Sequence, residues 1–165
     1  MKELLLRICR HNAWANKHFI DVLAPLDKEI LDREIISSFN SIRATILHMW
    51  GAEDIWLQRL TGVPEPVWNV PGFKASNQEL LDHWEKSSDG LITFVTNIEN
   101  EMDFSKILEV THLNNERYQY EISSIIQHVC NHGSYHRGQL VTMMRQAGIT
   151  SIPGTDLSSF LRVRV

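Results

Sequence analysis

The sequence predicts an all-α protein, a four-helix bundle with one small β-hairpin before the last helix. Three observations predict it. Four long stretches carry apolar residues at alternating steps of three and four, the spacing that gathers them on one helix face. Pro25 and the group Pro64, Pro66, Pro71 and Gly72 fall between those stretches, where they end helices without breaking them. Only residues 100–120 alternate apolar and polar with a period of two, the signature of strands.

The first helix is expected from Lys2 to Leu23, with Leu5, Ile8, Asn12, Ala15, Phe19 and Val22 along its seam and Pro25 as its stop. The second is expected from Ser41 to Leu60. Ser38, Asn40 and Ser41 are its cap candidates, and Thr61-Gly62 followed by Pro64 ends it. Its apolar stripe reads Phe39, Ile42, Ile46, Met49, Trp56, Leu57 and Leu60. An irregular connector covers Gly62 to Ala75. Ser76 and Glu79 then form a capping box that opens a third helix to Ile98. In the hairpin, Leu108, Val110 and His112 alternate with Glu109, Thr111 and Leu113. Asn114-Asn115 marks the turn, and Tyr118 and Tyr120 lie on the return strand. The fourth helix runs from Glu121 to Gln146, capped by Gly148, and a short tail helix begins at Thr155 or Asp156. Long connections after the second and third helices leave the order of the bundle open. At 165 residues the chain fits one domain, residues 1–165, and such a domain hides roughly 70% of its unfolded surface without disulfides.

Composition excludes several functions. There are 16 Lys and Arg against 20 Asp and Glu, a net charge of −4, so no basic excess exists to neutralise nucleic-acid phosphates. No apolar run approaches a membrane span. Met1-Lys2-Glu3 mixes acid and base at the start, so no secretory leader and a cytoplasmic location are expected. Cys9 and Cys130 are the two cysteines; they form no C-x-x-C, which argues against a thiolate zinc site.

Histidine is the compositional oddity, 8 residues of 165, and it is the commonest metal ligand. His128, His132 and His136 stand on consecutive turns of the fourth helix. Chance predicts roughly 0.4 H-x-x-x-H pairs but only ~0.02 runs of three. Two imidazoles at i and i+4 can share one metal. His128 and His136, ~12 Å apart along the axis, cannot. Relative to the apolar stripe, His136 lies ~30°, His132 ~70° and His128 ~110° off centre. Spacing and phase therefore favour His132 and His136 as a metal pair, with a hydrogen-bonded core pair as the competing reading. A third ligand should come from another helix. His48 is the best placed, beside Gly51 and Ala52, whose small size leaves room for a metal and a small molecule; taken alone, it reads rather as a satisfied core histidine. His11, His18, His83 and His112 read as surface residues, and Cys130 as packing.

The stretch His128-Val-Cys-Asn-His132-Gly-Ser-Tyr-His136-Arg137-Gly138-Gln139-Leu140 resembles the last-helix signature of the DinB/YfiT-like metalloenzyme family. Ser41 to Leu57 resembles its second helix, Asn12-Ala-Trp14-Ala-Asn16 its first, and Gly148 to Leu157 its C-terminal end. The resemblance covers essentially the whole chain. It implies an up-down-down-up bundle, a homodimer, and one divalent metal held by His48, His132 and His136. The family name refers to damage induction of an early member, which is no evidence of DNA binding.

Three neutral imidazoles without a fourth protein ligand leave a coordination position open, the pattern of a catalytic site. Zinc is the default metal and nickel the next, with iron or cobalt also suited to such donors. Glu53 is a candidate acceptor for a ligand's second ring N–H, with a plain surface acid as the stronger competing reading, and Gln139 is a candidate to reach the open position. The resemblance implies a thiol-dependent S-transferase acting in stress or detoxification on a small molecule, with a low-molecular-weight thiol. The alternatives are a metal-dependent hydrolase and a stress-induced metal-binding dimer without turnover.

Overall fold

The structure is a computed structural model describing residues 1–112 and 115–163; Leu113 and Asn114, expected at the hairpin turn, lie outside the described residues. The elements are α1 (Lys2–Leu23), α2 (Lys28–Leu31), α3 (Ile42–Leu60), α4 (Asn77–Asn97), a 3-10 turn (Glu101–Ser105), β1 (Ile107–Thr111), β2 (Arg117–Glu121), α5 (Ile122–Gln146) and α6 (Leu157–Leu161). The four long helices start and stop within one residue of their expected ends, because local chemistry sets those ends. Ser41 Oγ accepts the Ala44 N–H. Ser76 and Glu79 exchange side-chain and backbone hydrogen bonds in a complete capping box. Gly62 (φ +75) and Gly148 (φ +85) take the left-handed conformation just past α3 and α5. The sequence reading missed α2 and the 3-10 turn, single turns too short for periodicity to reveal. They tuck Leu31 and Phe104 into the core.

Around the bundle, α1 and α3 each pack against α4 and α5. Three contacts fix the directions. Lys2 Nζ donates to the carbonyls of Thr96 and Ile98 at 2.7 Å each, so α1 starts where α4 ends. Arg43 donates to Asn77 Oδ1 and the Ala75 carbonyl, so α3 and α4 start together. Thr45 Oγ1 lies 3.2 Å from Met143 Sδ, so α3 starts where α5 ends. The order is therefore up-down-down-up. Because α3 and α4 run parallel, the Pro-rich connector must travel back along the bundle, which accounts for its length.

The core has two apolar halves. One holds Phe19, Ile46, Trp84 and Met143; the other holds Cys9, Trp56, Leu91 and Ile126. Between them, on all four long helices, lie the buried polar residues Asn12, Asn16, Glu53, Ser88 and Arg137. The hairpin pairs Val110 with Tyr118 and Leu108 with Tyr120, and Val110 joins the second apolar half. Among the described residues no helix is long and apolar enough to cross a membrane.

Candidate metal centre

The antiparallel packing of α3 on α5 brings His48 opposite His132 and His136. The three offer ring nitrogens that all lie within 4.8 Å of one another. His48 Nε2 and His132 Nε2 face each other at 2.9 Å, and the His136 ring sits 4.7 Å from that of His48 and 4.3 Å from that of His132. Two ligands of one tetrahedral zinc, each bonded at 2.0–2.1 Å, are about 3.3 Å apart. The 2.9 Å between His48 Nε2 and His132 Nε2 is slightly shorter than that, and the 4.8 Å limit on the set is slightly longer.

Two further features fit a cation. Two of the imidazoles are held neutral: burial, helped by the charge of neighbouring histidines, lowers His48 to about 4 and His132 to about 3. The second ring nitrogen of His136 is also spoken for. Its Nδ1–H donates to Gln139 Oε1 at 2.7 Å, which directs Nε2 inward. His132 Nδ1 is buried with no hydrogen-bond partner among the described residues. No Asp, Glu or Cys joins the cluster among those residues. The donor set is three imidazole nitrogens, suited to zinc and to later first-row divalent metals.

Aromatic rings surround the site. Phe39 stacks on His48 at 4.4 Å and approaches His136 at 5.7 Å. Trp68 of the connector meets His48 edge-on at 6.2 Å, and the exposed Tyr135 meets His136 at 5.0 Å. Phe39 precedes α3 and is not part of that helix's apolar stripe, as the sequence reading had it. The space beside Gly51 is filled by protein: a Cβ there would run into Val70 and stand 2.9 Å from the Trp68 ring. The glycine lets the connector close over α3, and the room expected there for a small molecule is taken.

Other expectations change too. Gln139 holds the His136 ring and does not face an open position. Glu53 touches no ligand histidine. It is buried and accepts hydrogen bonds from Asn12, Asn16 and Ser88. Burial pushes its carboxyl above the usual range, opposed by those donors and by the charge of Arg137. His128 is exposed, beside Trp56 and 6.1 Å from His132 ring to ring, outside the triad. Three of the four remaining histidines are half-buried and partnered, not plain surface. His11 bonds the Thr155 carbonyl, His18 the Trp14 carbonyl, and His112 the Tyr120 hydroxyl. His83 is exposed, against Trp50. Cys130 is buried; contact with the Cys9 thiol and then burial raise its thiol well above the ordinary value.

The polar residues at mid-bundle were the functional candidates least visible in sequence. Asn12 stood on an apolar seam and Glu53 near His48 on its helix, but no sequence signal joined them to Asn16, Ser88 and Arg137.

A family model described as the DinB family matches residues 1–163. The chain belongs to the DinB family. It is 28% identical over 168 residues to Protein DinB of Bacillus subtilis (strain 168), covering 98% of this chain and 95% of that protein. A crystal structure of a DinB-like protein from Bacillus cereus ATCC 10987 superimposes with a TM-score of 0.73 at 22% identity, over 92% of this chain and 95% of that one. That likeness supports the fold. Family membership and the three-histidine cluster are together compatible with metal binding.

Proposed function

We propose that this protein is a divalent-metal-dependent enzyme, with His48, His132 and His136 as its ligands, that transfers a small-molecule thiol to an electrophile. The observation that carries the proposal is a convergent set of three imidazoles which no carboxylate or thiolate of the described residues joins. A bound divalent cation would supply a positive charge that keeps a substrate thiol in its thiolate form.

The chain's own residues supply the rest. The imidazoles add no negative charge, so a cation held by them would favour an anionic further donor. Phe39, Trp68 and Tyr135 flank the ligand histidines with aromatic rings. Cys9 and Cys130 are buried in the core, so the reacting thiol comes from the substrate. Glu53 is bound up with Asn12, Asn16 and Ser88, and no carboxylate of the described residues joins the histidines to act as a base; this favours the transferase over the hydrolase.

The test is conjugation of several low-molecular-weight thiols to monochlorobimane by metal-loaded protein. Thiol- and metal-dependent turnover, lost in His136→Ala, is expected. Hydrolysis of model esters without any thiol transfer would replace the proposal with the hydrolase. The homodimer belongs to the same proposal and is checked by light scattering.

A further inference from the structure

We infer that the buried polar layer is a positioning device for the metal ligands. It locks α5 against α1 and α3 in the register that brings His132 and His136 to His48. The inference rests on the metal-binding reading above and adds the residues that set its geometry.

The layer is one connected set of hydrogen bonds. Glu53 on α3 accepts from Asn12 Nδ2 (2.8 Å) and Asn16 Nδ2 (2.9 Å) on Oε1, and from Ser88 Oγ (2.7 Å) on Oε2. The other ends of the same two amides face α5: Asn12 Oδ1 and Asn16 Oδ1 each accept from Arg137 Nη1 at 2.7 Å. Two asparagines of α1 thus relay between a carboxylate on α3 and a guanidinium on α5. All five side chains are at most 3% exposed. Arg137 Nη2 continues to Ser134 Oγ at 2.8 Å.

Stability alone does not account for such an arrangement. Burying two charges carries a large desolvation penalty, and well-packed apolar residues often do as well or better. What a polar layer adds is register, the best-attested use of buried polar groups. Apolar burial is non-directional and resists axial sliding weakly, whereas hydrogen bonds weaken steeply with misalignment. Metal–nitrogen bonds tolerate only about ±0.2 Å, finer than an apolar seam enforces.

The layer also abuts the ligands in sequence. Gly133 and Arg137 directly follow His132 and His136, so α5 shows one face to the layer and the adjacent face to His48. Gly133 is part of the construction: a Cβ there would stand 2.6 Å from Asn12 Oδ1 and 3.0 Å from Arg137 Nη1. The helix omits a side chain where the Asn12–Arg137 bond passes.

The experiment measures Zn²⁺ and Co²⁺ affinity by chelator competition, the visible spectrum of the Co²⁺ form, and the metal-free thermal midpoint, all on full-length protein. The variants are Asn16→Ala, Arg137→Met, Glu53→Ala and Glu53→Gln. Leu91→Ala, in the apolar half of the core, is the control for lost stability. Network variants should bind roughly tenfold or more weakly and alter the Co²⁺ bands, while Leu91→Ala stays within about threefold of wild type. Glu53→Gln should retain more affinity than Glu53→Ala, because its amide oxygen still accepts from both asparagines. If Arg137→Met does not fold, Ser88→Ala, which removes one donor, decides by the same readouts. Affinity that follows thermal midpoint alike in every variant, or network variants with wild-type affinity and spectrum, would overturn the inference. Wild-type protein that takes up no metal would remove the metal-binding reading itself, and this inference with it.

Discussion

His136 makes two commitments at once. Its Nδ1–H is spent on Gln139, so only Nε2 is left to face His48 and His132, and Gln139 is itself anchored by donating to Ser38 Oγ at 3.1 Å. Two of the ligand imidazoles resist protonation, and that has a sign. In the unfolded chain a histidine titrates at 6.5; in the folded, metal-free protein His48 and His132 are lowered to about 4 and about 3. As pH falls below 6.5 the unfolded chain binds protons that the folded one refuses. Metal-free stability should therefore drop from pH 6.5 towards 4, with no contribution from these groups above 6.5. Urea midpoints across that range check this. The double variant His48→Gln/His132→Gln should give a flatter curve, and parallel curves would show that the two imidazoles do not govern it. The cysteines lead to a second expectation. Buried and, for Cys130, raised well above the ordinary value, they should leave an aromatic disulfide reagent unreacted in native protein and consume two equivalents on unfolding. Rapid native labelling would show that the core opens.

Elements explain how much could be read from sequence. The four long helices were legible because caps and breakers are local: Ser41, the Ser76–Glu79 box, Gly62 and Gly148 each act within one turn. The hairpin was legible from its alternation. The His132/His136 pair was legible because i and i+4 share a face whatever the fold. What surrounds the pair was not, because those contacts are tertiary. Phe39 reads as helix stripe until the loop before α3 is seen folding it onto His48. Gly51 reads as room for a ligand until the connector returns over it. Glu53 reads as a surface acid or an acceptor for a ligand histidine until three other helices surround it. Two glycines of α5 test the packing directly. Gly133→Ala must displace Asn12 from a bonded position, so it should cost about 1–3 kcal/mol. Gly138→Ala, with nothing within 4 Å of the new Cβ, should be neutral or stabilise by up to about 1 kcal/mol. Equal effects of the two in urea unfolding would contradict the close approach of Asn12 to α5.

At the scale of the molecule, the up-down-down-up order does specific work. It sets α3 antiparallel to α5, so that one mid-helix histidine meets a pair one turn apart. It also sets α1 parallel to α5, so that Asn12 and Asn16 meet Arg137. The metal site and the polar layer thus share one level of the bundle, between the two apolar halves. A ligand that bridges α3 and α5 should stabilise the whole fold. At a metal concentration one hundred times the dissociation constant the gain is about 2.7 kcal/mol, or roughly 5–11 °C in Tm for a chain of this size. Thermal scans with and without Zn²⁺, before and after chelation, check it; no shift would leave the site without a metal role. The most direct test of the central claim is metal stoichiometry and affinity in wild type and in four single variants. A metal held by these three histidines means one divalent ion per chain, lost in His48→Ala, His132→Ala and His136→Ala, and retained in His128→Ala. Retention in any of the first three, or loss in His128→Ala, would contradict it.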